Sequence, residues 1–494
     1  MNISLETVLS KRDQYAKRRV KIVATIGPAT SSESALRDLI NAGANVFRLN
    51  FSHGDHEGHL AVLKSIRKVS EELESPVAIL QDLAGPKIRI SEFGPEFKQG
   101  SITVKAGDKL TVKHGSEKGT QNTLFIPSVD PTNHVSKGSP ALLADGAIQL
   151  EVDQILDDGI TLLVTKGGNV RSRVGIAFPG SNIPLDAVTE KDIKDLSWGI
   201  KNEVDYVALS FVNSGEDVQK VQDLIDKEKG VARVIAKIER ASALENIEGI
   251  LDTADGIMIA RGDLGLEVSL EKLPVLQKIL VNKCNQRGII TIVATQMLLS
   301  MVEKPTPTRA ETSDVATAVS NGADAVMLSE ETAIGKYPTE SVSFLNRIAL
   351  ETERRLKYED FRWDSRGADQ ETVSDALVFA ACGAAEKVKA AAIIACTTTG
   401  TSARLTAKYR PMQPLYGAST KKSTLRRMCL YWGVEPVFCD TANSHKDEVE
   451  TALAQVQLKE KLANGSRAVI TGGLKVHTPG ATSVLEIREM NELS

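Results

Sequence analysis

Lys237 and Glu239 close one β-branched, apolar run (Arg233–Glu239), and Asp263 closes the next (Gly256–Asp263). Side chains along an extended strand alternate faces, so Lys237 and Glu239 point the same way and an ammonium shares a site with a carboxylate. Glu239 and Asp263, from neighbouring strands, form the kind of oxygen pair that holds Mg2+ while substrate oxygens and water complete the octahedron. Two carboxylates and a lysine suit phosphoryl or enolate chemistry, in which negative charge must be neutralised as it moves. The plain alternative is a structural salt bridge between Lys237 and Glu239.

Polar residues gather at the ends of other apolar runs too. Arg48, Asn50, Ser52 and His53 close Val46–Ser52, and Asp82 closes Val77–Leu83. Thr295 closes Ile290–Met297, and Ser329, Glu330 and Glu331 close Ala325–Glu331. Any one of these is ordinarily solvated or paired, but charge inside a buried strand costs free energy, so agreement across the strand ends points to one shared site. With Val20–Gly27 and Val204–Phe211 the runs number eight. Helical stretches such as Ser34–Asn41 and Ser313–Asn321 lie between them, each stopping near a glycine. The pattern predicts an α/β protein built on a (β/α)8 TIM barrel, whose reactive groups sit where the loops after the strands converge.

The rhythm breaks once, between the third run and a helix predicted to begin near Thr189. This stretch is rich in glycine and short alternating segments (Ser101–Lys105, Lys109–Lys113, Ala147–Val152, Ile160–Thr165). It reads as an inserted small β-barrel domain after strand three, 87–175, with turn chemistry at Gly85-Pro86 and Pro179-Gly180 forming a two-stranded hinge. The barrel then comprises 1–86 and 176–354. Strands at Ala391–Thr398, Pro414–Ala418, Pro436–Cys439, Arg467–Thr471 and Thr482–Ile487 make 355–494 a C-terminal open α/β domain.

Sixty Lys and Arg against 64 Asp and Glu leave a formal net charge of -4, which gives no broad attraction to nucleic acid or to an acidic membrane. An anion site must therefore be built locally. Five cysteines, Cys284, Cys382, Cys396, Cys429 and Cys439, lack zinc-site spacing, and their odd number argues against a disulfide framework. No apolar run approaches the ~18 residues of a membrane span. The opening residues lack the apolar core of a signal peptide, so the expected location is cytoplasmic.

These residues resemble the pyruvate kinase family. Ile235-Ala236-Lys237-Ile238-Glu239 is similar to that family's catalytic signature, and Ala260-Arg261-Gly262-Asp263-Leu264-Gly265 to its metal loop. Further matches follow in the family's order: Val23-Ala24-Thr25-Ile26-Gly27-Pro28, Arg48-Leu49-Asn50-Phe51-Ser52-His53, Ala294-Thr295-Gln296-Met297 and Pro307-Thr308-Arg309-Ala310-Glu311. The resemblance implies transfer of a phosphoryl group from phosphoenolpyruvate to ADP. It implies Mg2+, with Mn2+ as the alternative ion, on Glu239 and Asp263, with Glu331 reaching it through water. By the same resemblance Lys237 stabilises the phosphoryl group in flight and the enolate, Arg48 pairs with the phosphate, and the backbone around Gly262 binds the substrate carboxylate. Thr295 stands where the family relays a proton, with Ser329 supporting through water. The nucleotide lies between barrel and insert near Asn50, His53 and Arg89, and the family's usual assembly is a homotetramer.

Three departures qualify what carries over. Many members have a carboxylate after the Gly-Pro of the third strand that helps bind an activating K+ with residues equivalent to Asn50, Ser52, Asp82 and Leu83; here the run is Asp82-Leu83-Ala84-Gly85-Pro86-Lys87. Lys87 supplies a tethered cation instead, and two cations in so small a space repel, so the enzyme is expected not to require K+. In the insert, Val174 precedes Gly175 where the family commonly has a nucleotide-contacting lysine, leaving Arg173 as the substitute. In the last domain, Thr397-Thr398-Thr399-Gly400-Thr401-Ser402 is placed as a phosphate cradle, the family's effector loop, with a simple helix cap as the alternative. The facing loop, Gly472 to Gly480, has Lys475 and His477 but lacks the tryptophan and arginine of members that bind fructose 1,6-bisphosphate, so the expected effector is a phosphorylated metabolite of open identity. Two rivals compete: an Mg2+-dependent barrel lyase acting on pyruvate or oxaloacetate, which leaves Lys237 and the insert unexplained, and a non-catalytic sensor, which would have lost the lysine or a metal ligand.

Overall fold

The computed structural model describes residues 17–97, 100–181, 183, 185–356, 372–440, 444–473 and 482–490. Eight parallel strands close a barrel: β1 (Lys21–Ile26), β2 (Val46–Asn50), β3 (Ala78–Asp82), β4 (Tyr206–Leu209), β5 (Arg233–Ile238), β6 (Gly256–Ala260), β7 (Ile290–Ala294) and β8 (Ala325–Leu328). Each pairs with its sequence neighbours, and β8 returns to β1. Strands buried on both faces explain the near-continuous apolar runs. Along β1 the side chains of Ile22 and Ala24 join the outer core under the helices, while Val23 joins the barrel interior.

Each barrel strand ends one to three residues before its predicted end, because the backbone leaves the extended form there. Arg261, Gly262 and Asp263 lie in a short helix, Arg261–Glu267, and Glu330 and Glu331 open another, Glu330–Ala333. The first predicted helix lengthens at both ends, to Glu33–Ala42, and the second starts four residues earlier, at Arg309–Ser320. The first ends on Gly43 in the left-handed region (φ 114°). The second starts from a capping box in which Thr308 and Glu311 satisfy each other's backbone N–H, so the Pro307–Glu311 motif has a structural task. The helix expected near Thr189 is Glu190–Lys201, capped the same way by Thr189 and Asp192.

The insert forms a six-stranded sheet, in the order Ile176–Ala177, Pro140–Leu143, Ile148–Leu156, Gly159–Lys166, Lys109–His114, Thr123–Ile126, beside a two-stranded ribbon of Ser101–Val104 and Gly168–Arg171. Four of these strands have only four residues, and of them Thr123–Ile126, Pro140–Leu143 and Gly168–Arg171 went unmarked in the sequence, where so short a strand shows at most two alternations. The insert's core continues past residue 175, where the sequence placed its end: Ile176, Phe178 and Ile183 bury in it.

The last sheet contains β9 (Ala392–Cys396), β10 (Leu415–Ser419), β11 (Val434–Phe438), β12 (Arg467–Gly472) and β13 (Val484–Glu489) in the order β11-β10-β9-β12-β13, with only β13 antiparallel. Its core runs into the barrel interior, and Tyr206 Oη of β4 donates to Arg427 O at 2.6 Å. Among the described residues no helix is long and apolar enough to cross a membrane.

Candidate functional site

The carboxyl ends of β2, β3 and β5 bring Arg48, Asp82, Lys237 and Glu239 into one buried cluster. Lys237 Nζ lies 2.9 Å from Glu239 Oε1 and 3.2 Å from Asp82 Oδ1, and Arg48 Nε donates to Asp82 Oδ2 at 2.6 Å. Burial alone would lower the Lys237 pKa, but Asp82 and Glu239 outweigh it and raise the value, so the amine is a fixed positive charge. Burial likewise pushes Asp82 upward, and Lys237 with Arg48 overcomes it, holding that carboxyl below its usual range. Glu239 is the exception. Burial raises its pKa, Lys237 opposes this, and the charge of Asp263 adds to the rise.

Glu239 Oε2 accepts from Phe211 N at 2.7 Å, whereas Oε1 is buried without a hydrogen bond despite the nearby ammonium. A buried carboxylate oxygen lacking a directed donor, close enough to feel the charge of a second carboxylate, is what a hard divalent cation would satisfy. Among the described residues no group of three or more His, Cys, Asp or Glu side chains could hold a metal ion. A cation on Glu239 and Asp263 would thus keep most of its coordination for substrate and water, as Mg2+ does. Charge counting agrees: Arg48, Lys87 and Lys237 face Asp82, Asp145, Glu239 and Asp263, leaving no positive surplus for a phosphate without a metal ion.

Thr295 follows β7 with φ +71°, a region that a β-branched residue rarely enters, at a cost of about 1–3 kcal/mol. Arg261 offsets that strain by donating to Ala294 O and Thr295 O at 3.2 and 2.7 Å, while Asp314 pairs with it at 2.7 Å. Thr295 Oγ1 accepts from Gly262 N at 2.8 Å, so the expected proton relay and the expected carboxylate donor are in contact.

Lys87 does not reach Asp82, whose two oxygens face Arg48 and Lys237; its ammonium instead bridges Asp145 of the insert at 3.0 Å and Asp263 at 3.2 Å. Of the other residues assigned to a monovalent-cation pocket, Asn50 Oδ1 accepts from Ser52 N and Leu83 O accepts from Ser210 Oγ. Glu331 is fully buried, its oxygens accepting from Leu298 N and Ser329 N at 3.0 and 2.7 Å. It clips together the loops after β7 and β8. Arg173 pairs with Glu92 at 2.7 Å, and its carbonyl accepts from Arg89 Nη1.

Sequence reasoning missed three residues. Ser210, just after β4, accepts from Lys237 Nζ at 2.7 Å and donates to Leu83 O; the rule that polar residues mark strand ends would have found it. Thr25 accepts from Arg48 Nη1 at 3.1 Å. Lys118 joins Arg89 and Arg173 along a groove of about 390 Å³ on the insert. A separate cavity of about 270 Å³ between insert and barrel is lined by Lys87, Asp145, Phe211, Glu239 and Asp263 among others.

At the hydroxyl-rich turn of the last domain, Thr397 and Ser402 are buried and their hydroxyls engaged, Thr397 accepting from Gly400 N and Ser402 bonded to Thr482 Oγ1 at 2.7 Å. Thr399 and Thr401 hydroxyls contact each other at 3.0 Å, and Thr398 O accepts from Thr424 Oγ1. The turn follows β9, where the sheet order reverses, the place where open α/β sheets bind ligands. Lys475 and His477 lie outside the described residues.

Comparison with known proteins agrees with this geometry. The family described as pyruvate kinase, barrel domain, matches residues 17–342, and the pyruvate kinase alpha/beta domain matches 375–488. Pyruvate kinase 2 of Synechocystis sp. is 41% identical over 95% of this chain and 79% of its own length. Pyruvate kinase of Geobacillus stearothermophilus is 38% identical over 97% and 81%, and that of Clostridium acetobutylicum 36% identical over 95% and 99%. A crystal structure of a pyruvate kinase from Cryptosporidium parvum superposes with a TM-score of 0.90 at 33% identity, covering 96% of both chains. With both family domains matched in order, the chain belongs to the pyruvate kinase family.

Proposed function

We propose that the enzyme transfers the phosphoryl group of phosphoenolpyruvate to ADP, giving pyruvate and ATP in the last step of glycolysis. The observation that carries this reading is the buried Lys237 ammonium beside Glu239, whose Oε1 has no directed donor. Glu239 and Asp263 would hold Mg2+, or alternatively Mn2+, and that ion would supply positive charge to the substrate's oxygens. The chain's own groups do the rest. Arg48 and Lys237 neutralise the phosphate, and Lys237, being permanently charged, stabilises the group in flight and the enolate left behind. The Gly262 N–H exchanges Thr295 Oγ1 for the substrate carboxylate, which leaves the Thr295 hydroxyl to pass a proton to the enolate carbon, with Ser329 supporting through water. ADP lies between barrel and insert against Asn50, His53, Arg89 and Arg173.

Four finer readings go with this. Activity does not require K+, because Lys87 already brings a cation between insert and barrel. A phosphorylated metabolite regulates the enzyme at Thr397–Ser402, beside the reversal of the last sheet. The assembly is a homotetramer in the cytoplasm, with neither nucleic acid nor membrane as partner. The chain divides into a barrel of 1–86 with 176–354, an insert of 87–175 whose packing carries on through Ile183, and a C-terminal domain of 355–494.

A coupled assay with phosphoenolpyruvate, ADP and Mg2+ tests the central reading. ATP formation with pyruvate release is expected; an oxo-acid cleavage without ATP would favour the lyase, and no turnover the sensor.

A further inference from the structure

The turn after β2 is held by a ring that the mechanism above does not use. Phe51, Ser52, His53 and Gly54 lead from Asn50 to Asp55, which caps the helix His56–Glu72 by accepting from Gly58 N at 2.8 Å. His59, in the first turn of that helix, reaches back. Its ring stacks on Phe51 with centroids 4.1 Å apart and planes inclined by 12°, and Nε2 lies 2.9 Å from His53 O. A carbonyl only accepts, so the Nε2 proton is the donor in this pair. Burial holds the imidazole pKa below its usual value, which favours the neutral ring that stacks on an apolar face. Gly54 has φ +77°, and a Cβ there would stand 3.3 Å from His59 Nε2, so the close approach depends on glycine.

The turn is held from its other side as well. Phe51 N donates to Asp82 O, and Phe51 O accepts from Lys191 Nζ at 2.8 Å. Lys191 and His56 both bond the buried Asp195, on the same helix that carries Asp192, whose Oδ1 accepts from Gly85 N at the insert's hinge. The segment presenting Asn50, Ser52 and His53 thus shares a mount with the hinge of the insert.

We propose that His59 is a positioning residue for the nucleotide site, its stacked ring and its hydrogen bond to the His53 carbonyl fixing the turn that meets ADP. The inference rests on the nucleotide reading given above. A residue that only packs would, on substitution, lower stability and affect both substrates alike. A residue that sets the turn would act mainly on ADP.

The test compares His59→Phe, which keeps the ring and loses the donor, with His59→Gln, which keeps a donor, and His59→Leu as a second apolar variant should the phenylalanine protein fail to fold. Steady-state kinetics on the full chain should give an ADP KM raised about two- to tenfold in the phenylalanine or leucine protein, as expected for one lost hydrogen bond. The phosphoenolpyruvate KM and kcat should stay unchanged, and glutamine should restore most of the ADP affinity. Equal rises in both KM values, an unchanged ADP KM, or failure of glutamine to rescue would overturn the proposal. His53→Ala, measured alongside, separates the two levels: if it leaves the ADP KM unchanged, the nucleotide reading fails and the proposal with it. If His53→Ala raises the ADP KM and His59→Phe does not, only the role of His59 fails.

Discussion

Glu239 Oε1 lies 2.9 Å from the Lys237 ammonium yet takes no hydrogen bond from it, while Lys237 donates to Ser210 Oγ at 2.7 Å. The amine is thus anchored by a neighbour and by charge, and the carboxylate keeps one oxygen for another cation. Lys237→Met should remove the charge that shields the migrating phosphate, lowering kcat by about 10²–10³-fold or more. Divalent-ion binding, followed by Mn2+ resonance, should persist because both acids remain. Retained transfer in this variant would count against the assigned role.

Asp82 ties Arg48 and Lys237 together and is 1% exposed. Replacing it by asparagine leaves two buried cations short of a partner, at a cost of about 3–5 kcal/mol. Its folded pKa lies below the ordinary value of 3.8, so the stabilisation is complete above that pH and fades as pH falls through 3.8 toward the folded value. Urea titrations should show a constant gap between wild type and Asp82→Asn at neutral pH, shrinking below about pH 4. A gap that widens on acidification would contradict the sign of this shift.

Lys87 spans Asp145 and Asp263, joining the insert to a proposed metal ligand. Lys87→Glu reverses its charge and should create a requirement for K+ in a protein that otherwise ignores it. The comparison is KCl against tetramethylammonium chloride at fixed ionic strength. Strong K+ activation of the unaltered enzyme would refute K+ independence whatever the variant does.

The barrel was legible because strands buried on both faces leave continuous apolar runs, and because Arg48, Asp82, Lys237 and Glu239 stand out at their ends. Where the backbone turns was not. Arg261–Asp263 and Glu330–Glu331 extend an apolar run in sequence but start short helices, and periodicity cannot see a helix of four to seven residues. Partner choice was hidden as well: Lys87 pairs according to where the insert sits over Asp263, and Glu331 according to two loops far apart in sequence.

Glu331 holds Leu298 N and Ser329 N, and burial raises its pKa. Glutamine in its place offers one acceptor and puts an amide N–H against a backbone N–H, a loss of about 1–3 kcal/mol. Glu331→Gln should therefore lower the thermal midpoint and, by loosening the Thr295 and Ser329 loops, reduce kcat, with Mn2+ affinity unchanged. Weakened Mn2+ binding at unchanged stability would instead favour the water-mediated metal role expected from the resemblance.

Arg427 touches both the proposed effector turn and the barrel: it donates to Val231 O at 2.7 Å, ahead of β5, and to Thr399 O at 3.4 Å, while its carbonyl accepts from Tyr206 Oη of β4. Strands β4 and β5 end at Ser210, Lys237 and Glu239, so a ligand that moves Thr399 has a short physical route to the catalytic charges. Sugar phosphates and nucleoside monophosphates, screened by calorimetry, should include one that binds the unaltered enzyme and lowers its half-saturating phosphoenolpyruvate concentration. Thr399→Glu should abolish that binding by setting a carboxylate against a phosphate. Arg427→Ala should preserve binding and weaken the kinetic response, because it removes a direct hydrogen-bonded link between that turn and the barrel. A full kinetic response in the Arg427 variant would place the coupling elsewhere in the contact between the last sheet and the barrel.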